Sequence, residues 1–593
     1  MKRARWYSSS SLPLMLSIVV GCIALRSIAY TGTPRKTEAL PQSTLVDSSY
    51  VPFLINDIFA YFGNNGDGSY NPFATGKEGF EFRRGQDKHL VYEDGIVWGG
   101  FCGVNKELKV GGSMYRHAMQ PGRIIITGTA TTAPVADSSG SKHNRVYRVR
   151  PDVRPSTDTT AALALIAQDE VPFIGRYQTT TASAIMHQYM TDWIEWPASE
   201  GAPFTDVDGD GRYDPTVDIP GEPGADQTLW YVANDLDSSR TILFSNSSPI
   251  GLEMQKTIWG YRRNMGALTT SIFARTVLVN KSGGRIDSMF IMQFSDPDIG
   301  DGGDDFVGCD TTLNLSFGYN GNAVDAEYGT ESPAVGYVLL EGPLVASPGN
   351  AGLFDRRRVD GKRNLGRTSF SFWQPPSWGE VVEEPIGWYN TMNGLLTEGV
   401  PYIDPITSKP TKFPMSGNPV ADPDSATTWV DGKYGLLPID QRLYMSTGPF
   451  TMANGDTQEV VIATVGAQGS DRLASVGLLK TAVASLIQGI PDLLVSAPQH
   501  TGTSVPTGFV LYQNYPNPFN PKTVVSGQWS VPSVVRIVVY DILGREVAVL
   551  ADGRYPAGKH TFSFDGTHFS SGVYFYRLTA GNFWATKAMI LLK

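Results

Sequence analysis

Cysteine is nearly absent from these 593 residues: only Cys22, Cys102 and Cys309 occur. Three thiols so far apart exclude a cysteine-rich metal site and a disulfide-stapled scaffold. They leave, for Cys102 and Cys309, either one disulfide or two buried free thiols. Histidine is scarce as well, with seven residues scattered along the chain. HExxH, GxSxG and a phosphate-binding glycine loop are all missing, so no catalytic residue is expected from a known motif. Beyond the first 25 residues no apolar run is long enough to cross a bilayer. Charge is sparse, at 18% of residues, and unevenly divided. From Phe509 onward four lysines and four arginines face three aspartates and one glutamate, a surplus of four positive charges in a chain of net charge -10. The rest is therefore near -14, which argues against nucleic acid and anionic membranes as partners and suits bound divalent cations.

Glycine and proline are plentiful, at 63 and 39 residues, and 41% of the chain is hydrophobic. That composition predicts short strands and tight turns around several cores, a mainly β, multidomain β-sandwich protein with a few helices. The N-terminus opens with Lys2, Arg3 and Arg5 before an apolar run from Leu12 to Leu25. This is the length of a signal-peptide h-region, and Ser27-Ile28-Ala29 offers a cleavage site before Tyr30, so 1–29 reads as a signal peptide. Val19-Val20-Gly21-Cys22 supplies the alternative of a lipobox with Cys22 lipidated.

Residues 30–197 read as a β-rich region with two helices. Its strands are expected at His89–Trp98, Arg123–Thr129 and Arg145–Arg150. One helix spans Thr159–Gln168 behind Asp158, and another spans Ala182–Trp196 with Ile185, Tyr189 and Trp193 on one face. Residues 198–490 read as an acidic β-rich domain with strands at Gln255–Tyr261, Ser271–Asn280, Ser288–Phe294, Val335–Leu340 and Glu459–Val465. A closing helix, Asp471–Gln488, is expected to be capped by Ser470, with Leu473, Val476, Leu479, Val483 and Leu486 facing inward. Between Ala351 and Gln441 weak periodicity predicts extended loops. Residues 491–508 form a proline-, threonine- and glycine-rich linker.

Residues 509–593 are a third unit. Its strands alternate at Val534–Tyr540, Glu546–Leu550, His560–Asp565, Val573–Leu578 and Trp584–Leu592, which predicts an Ig-like β-sandwich. The tail carries Tyr515-Pro516-Asn517-Pro518-Phe519-Asn520-Pro521, Val539-Tyr540-Asp541 with Gly544, Ala557-Gly558, Ser571-Gly572-Val573-Tyr574 and Leu591-Leu592-Lys593. In that order these segments resemble the type A C-terminal sorting domain of the type IX secretion system of Bacteroidetes-type bacteria. Ser526-Gly527 inside the first strand, and Phe564 where the family has tryptophan, are small departures. The resemblance implies export by the type IX machinery to the cell surface or beyond. It also implies tail removal and attachment to surface lipopolysaccharide.

The clearest chemical motif in the passenger is Asp206-Val207-Asp208-Gly209-Asp210-Gly211-Arg212-Tyr213-Asp214, with Asp218 beyond it. Alternate carboxylates converge on a hard cation once the chain curls, and Gly211 permits the sharp turn. Asp206, Asp208, Asp210, Asp214 and Asp218 are thus the candidate ligands of a structural calcium ion. The twelfth position from Asp206 is Val217, so this is a shorter extracellular loop and not an EF-hand. A second acidic loop, Asp296-Pro297-Asp298-Ile299-Gly300-Asp301-Gly302-Gly303-Asp304-Asp305, is either another metal site or a solvated turn. Trp373, Trp378, Trp388, Tyr389 and Trp429 are candidates for a sugar-stacking surface or for pins into a core. The sequence thus supports a secreted structural or adhesive protein stabilised by calcium. The alternative is a secreted polysaccharide-binding or glycan-hydrolysing protein.

Overall fold

Strand alternation settles the layering of the passenger. In Thr457–Ala467, Val460 and Ile462 enter one core while Val461, Ala463 and Val465 enter another. Ile286–Asp296 behaves likewise, with Met289 and Ile291 on one face and Phe290, Met292 and Phe294 on the other. Successive side chains of a strand point to opposite faces, so each strand has apolar cover on both sides.

The computed structural model describes residues 49–74, 78–126, 135–136, 144–155, 157–262, 266–373, 384–434, 437–494, 510–514, 516–529, 533–542, 544–555, 558–580 and 583–593. The signal segment with Cys22, residues 127–129 of one expected strand, Trp378, the linker beyond Leu494, Tyr515 and Ala557 lie outside the described residues.

A nine-stranded sheet includes Tyr147–Val149, Gln227–Asn234, Leu252–Gly260, Ser271–Asn280, Thr457–Ala467, Ala334–Glu341, Leu315–Asn320 and Asp305–Asp310, adjacent in that order. A five-stranded sheet runs Ser369–Trp373, Arg442–Met452, Ile286–Asp296, Glu93–Cys102 and Glu107–Gly112. Both sheets take strands from either side of residue 197. Between them lies a shared core holding Trp98, Ile291, Leu443 and Met445 from one sheet and Tyr231, Ile258, Leu278 and Ile462 from the other. The helix Arg472–Leu494 covers the outer face of the larger sheet with Val476, Leu479, Val483 and Leu486. Two short helices, Ser238–Ser245 and Pro385–Met392, cover the outer face of the smaller one.

Several expectations need adjustment. His89–Trp98 is two strands, His89–Val91 and Glu93–Cys102, with a break at Tyr92. The closing helix is capped by Asp471 and not Ser470: Asp471 Oδ1 accepts from the Leu473 and Ala474 amides, each at 2.9 Å. It also runs past Gln488 to Leu494, into the segment read as linker. The region from Ala351 to Gln441 is more ordered than weak periodicity suggests. It finishes a hairpin of Leu344–Phe354 with Arg357–Asn364 and adds an edge strand and a helix. Cys102 and Cys309 are both free, and burial pushes the Cys309 thiol up to about 11.

The elements among the described residues of the tail are all strands. Val510–Leu511, Lys522–Trp529 and Gly558–Asp565 form one sheet, and Glu546–Tyr555, Ser533–Tyr540, Gly572–Ala580 and Phe583–Leu591 form another. Both contribute to a single core with Phe519, Trp529, Ile537, Phe564, Tyr576 and Leu578.

Candidate functional site

The loop from Asp206 curls as its glycines require. Gly209 and Gly211 sit at φ 79° and 76°, in the left-handed region open to glycine. Asp206 Oδ1 accepts from the Gly209 amide at 2.7 Å and its Oδ2 from the Gly211 amide at 2.8 Å. The Asp210 and Arg212 amides donate to Asp208 and Asp210. This curl brings Asp206, Asp208 and Asp210 together, each offering a carboxylate oxygen within 4.8 Å of the others. Asp214 and Asp218 are placed differently. Asp214 Oδ1 accepts from Thr216, while buried Asp218 closes the loop by accepting from the Val207 and Asp214 amides, both at 2.8 Å. The Asp210 amide works to lower the Asp208 carboxyl. Desolvation and the neighbouring charges of Asp210, Asp218 and Asp206 outweigh it, so Asp208 lies above the usual carboxylate range.

The second acidic loop folds inward. Asp298 and Asp305 are buried, and Asp305 Oδ2 accepts from the Ile299 amide at 3.0 Å. Asp296, Asp298 and Asp440 form a second group with oxygens within 4.8 Å. Here the protein supplies its own cation: Arg442 lies 3.5 Å from Asp296 and 2.6 Å from Asp440.

Among the described residues, the aromatic candidates do not make an open platform. Trp388 is fully buried and Tyr389 and Trp373 pack beside it, while Trp429 packs against the central core. Local sequence could not reveal this, because what covers Trp388 is the distant residue Phe244.

Reading the sequence for motifs also passed over Asp67, Glu93 and His117, which the fold gathers into one group. A signal was available. Asn65-Gly66-Asp67-Gly68-Ser69-Tyr70-Asn71-Pro72 repeats the pattern of Asp208-Gly209-Asp210-Gly211-Arg212-Tyr213-Asp214-Pro215, with asparagine where the second copy has aspartate.

Comparison with known proteins bears on the tail. No curated protein matches the sequence. Solved structures with some likeness include a polysaccharide lyase, 7% identical, with 57% of this chain and 34% of the lyase covered at a TM-score of 0.17. Another is PorZ, a surface component of the type-IX secretion system of Porphyromonas gingivalis, 12% identical, with 64% and 44% covered at a TM-score of 0.12. The chain thus spans about a third of the lyase and less than half of PorZ, and TM-scores this low leave both without bearing on its function. Residues 513–592 match the family described as the secretion system C-terminal sorting domain, so the chain is a type IX secretion cargo, delivered to the cell surface or the extracellular space.

Proposed function

We propose that the passenger is a structural or adhesive module of the cell exterior, stabilised by calcium at Asp206, Asp208 and Asp210. The observation that carries this reading is the exposed convergence of those three carboxylates on a loop already curled by its own amides. Hard oxygen donors in a flexible loop are what calcium takes, and extracellular calcium is abundant enough to fill sites of modest affinity. Asp214 and Asp218 serve the site by holding the loop closed. The interior of the sandwich is filled by side chains, which suits a load-bearing or contact role. After export the tail would be removed and the passenger fixed to surface lipopolysaccharide.

The test is thermal unfolding of the full-length protein in calcium and after chelation. Calcium should raise Tm, and the triple variant Asp206→Asn, Asp208→Asn, Asp210→Asn should lose that response. Equal melting of the wild-type protein in both conditions sinks the proposal. Export is tested in the native host with a chain lacking Phe509 to Lys593, which should stay inside the envelope.

A further inference from the structure

The repeat at residues 65–72 leads into the interior of the sandwich. Strand Ile58–Gly63 ends there, and the loop returns to bridge the start of Glu93–Cys102 through Gly68 and Asp94, with amide-to-carbonyl distances of 2.8 and 2.9 Å. Asp67 and Asn65 have no exposed surface, and Glu93 is 4% exposed. His117 comes from the turn after Glu107–Gly112, with its Nε2 3.7 Å from Asp67 Oδ2. One ligand-type atom from each of Asp67, Glu93 and His117 lies within 4.8 Å of the other two.

Two independent features point to something bound there. First, among the described residues Asp67 Oδ1, Asn65 Oδ1 and Glu93 Oε1 find no hydrogen-bond donor. Buried acceptors are rarely left this way, since each costs about 1–3 kcal/mol unpaired. Two of them converge: a methyl group at Gly63 would stand 2.2 Å from Asp67 Oδ1 and 2.5 Å from Asn65 Oδ1.

Second, the imidazole is oriented as a ligand. Ser113 Oγ gives its proton to the Asn65 carbonyl at 2.5 Å, so toward His117 Nδ1, 3.2 Å away, it acts as an acceptor. His117 therefore carries its proton on Nδ1 and presents the lone pair of Nε2 to Asp67. Outer partners of this kind fix the tautomer of metal-bound histidines.

We propose that Asp67, Glu93 and His117, with the Asn65 amide oxygen, bind a divalent transition-metal ion, zinc or manganese, inside the sandwich. Three atoms each about 2.1 Å from one ion are, when evenly spread, about 3.6 Å apart, so ligand atoms within 4.8 Å of one another reach that geometry by shifts of under about 1 Å each. The imidazole nitrogen and enclosed position favour a transition metal over calcium, which takes six to eight oxygens. The two copies of the repeat thus divide the work. The exposed copy keeps an all-carboxylate set, whereas the buried copy swaps aspartates for asparagines and draws Glu93 and His117 from neighbouring elements.

The experiment strips the full-length protein with chelator, reloads it with Zn2+ or Mn2+ in excess calcium, and counts bound metal. About one equivalent of Zn2+ or Mn2+ is expected, retained when Asp206, Asp208 and Asp210 are all changed to Asn. His117→Gln and Glu93→Gln should each weaken it 10- to 100-fold. Should those variants fail to fold, pulsed electron paramagnetic resonance of the Mn2+-loaded unaltered protein decides, through nitrogen coupling from the His117 ring. The proposal is overturned if the unaltered protein takes up neither metal, if both variants bind as tightly as wild type, or if the bound Mn2+ shows no nitrogen coupling.

Discussion

Trp388 stacks on Phe244, their ring centroids 5.4 Å apart and their planes 9° from parallel. The two residues belong to the short helices that cover the outer face of the five-stranded sheet, and both are essentially without exposed surface. The contact therefore seals a core. Truncating a buried tryptophan removes its transfer energy and leaves a cavity, so Trp388→Ala should cost about 3–5 kcal/mol. Trp388→Phe, which keeps a ring against Phe244, should cost less than half as much. Urea unfolding of the full-length chain measures both. A loss below 1 kcal/mol for the alanine variant would return Trp388 to the pool of ligand-binding candidates.

The helix beginning at Arg472 offers a sharper comparison. Asp471 accepts two first-turn amides, whereas the Ser470 hydroxyl reaches only the Asp471 carboxylate at 3.4 Å. Asp471→Ala should lower stability by about 1 kcal/mol, the usual cost of losing an N-cap. Ser470→Ala should change it by a few tenths at most. The reverse order in a thermal melt would restore Ser470 as the cap.

How much was legible in the sequence depends on how local each signal is. Ser271–Asn280 is a strand over the same residues its alternation marks, and Thr159–Asp169 overruns its predicted helix by one residue. Asp158 caps that helix as read, accepting from the Thr160 amide at 2.8 Å. The tail was legible for the same reason, since Phe562, Phe564, Tyr574, Tyr576 and Leu578 follow period two into one core. Ser369–Trp373 was missed because its partner, Arg442–Met452, is far along the chain. Asp206 and Asp210 could be named as candidate ligands from a motif because they share one stretch of chain. Glu93 and His117 could not, because only strand pairing carries them to Asp67.

Glu341 gives the passenger a pH dependence with a definite sign. Glu222, Glu341 and Glu459 share a buried neighbourhood with Arg275 and Arg356. Two guanidinium groups face three carboxyls, and desolvation followed by repulsion from Glu459 pushes Glu341 up to about 7 from an ordinary 4.5. A carboxyl raised in the folded state binds its proton more tightly there than when unfolded. Its stabilising contribution is complete below about pH 4.5 and is lost as pH rises through about 7. Glu341→Gln should therefore stabilise the protein at pH 8 by on the order of 2 kcal/mol and add nothing at pH 4.5. The decisive quantity is the difference in Tm between variant and wild type at the two pH values. An equal difference at both would show that Glu341 ionises freely in the folded protein.

Tyr576 explains why the proline-rich start of the sorting domain is structured at all. Its hydroxyl accepts from the Asn514 amide at 2.6 Å and donates to the Tyr512 carbonyl at 2.7 Å. The ring itself is fully buried. Asn514 in turn donates to Thr523 Oγ1 and to the Pro516 carbonyl. Farther on, Phe519 joins the last strand, its amide donating to Ile590 and its carbonyl accepting from Leu592. Prolines leave this segment few amides of its own, so its order depends on side chains from the strands beneath. Tyr576→Phe keeps the ring but strands one amide and one carbonyl, a loss of about 1–3 kcal/mol borne by the tail. Hydrogen exchange at Asn514 should accelerate roughly in proportion, about 5- to 150-fold, while amides of the passenger strands such as Ser271–Asn280 keep their protection. If the secretion machinery recognises the folded tail, export in the native host should fall with it. Unchanged exchange at Asn514 would show that the prolines order this segment without help from Tyr576.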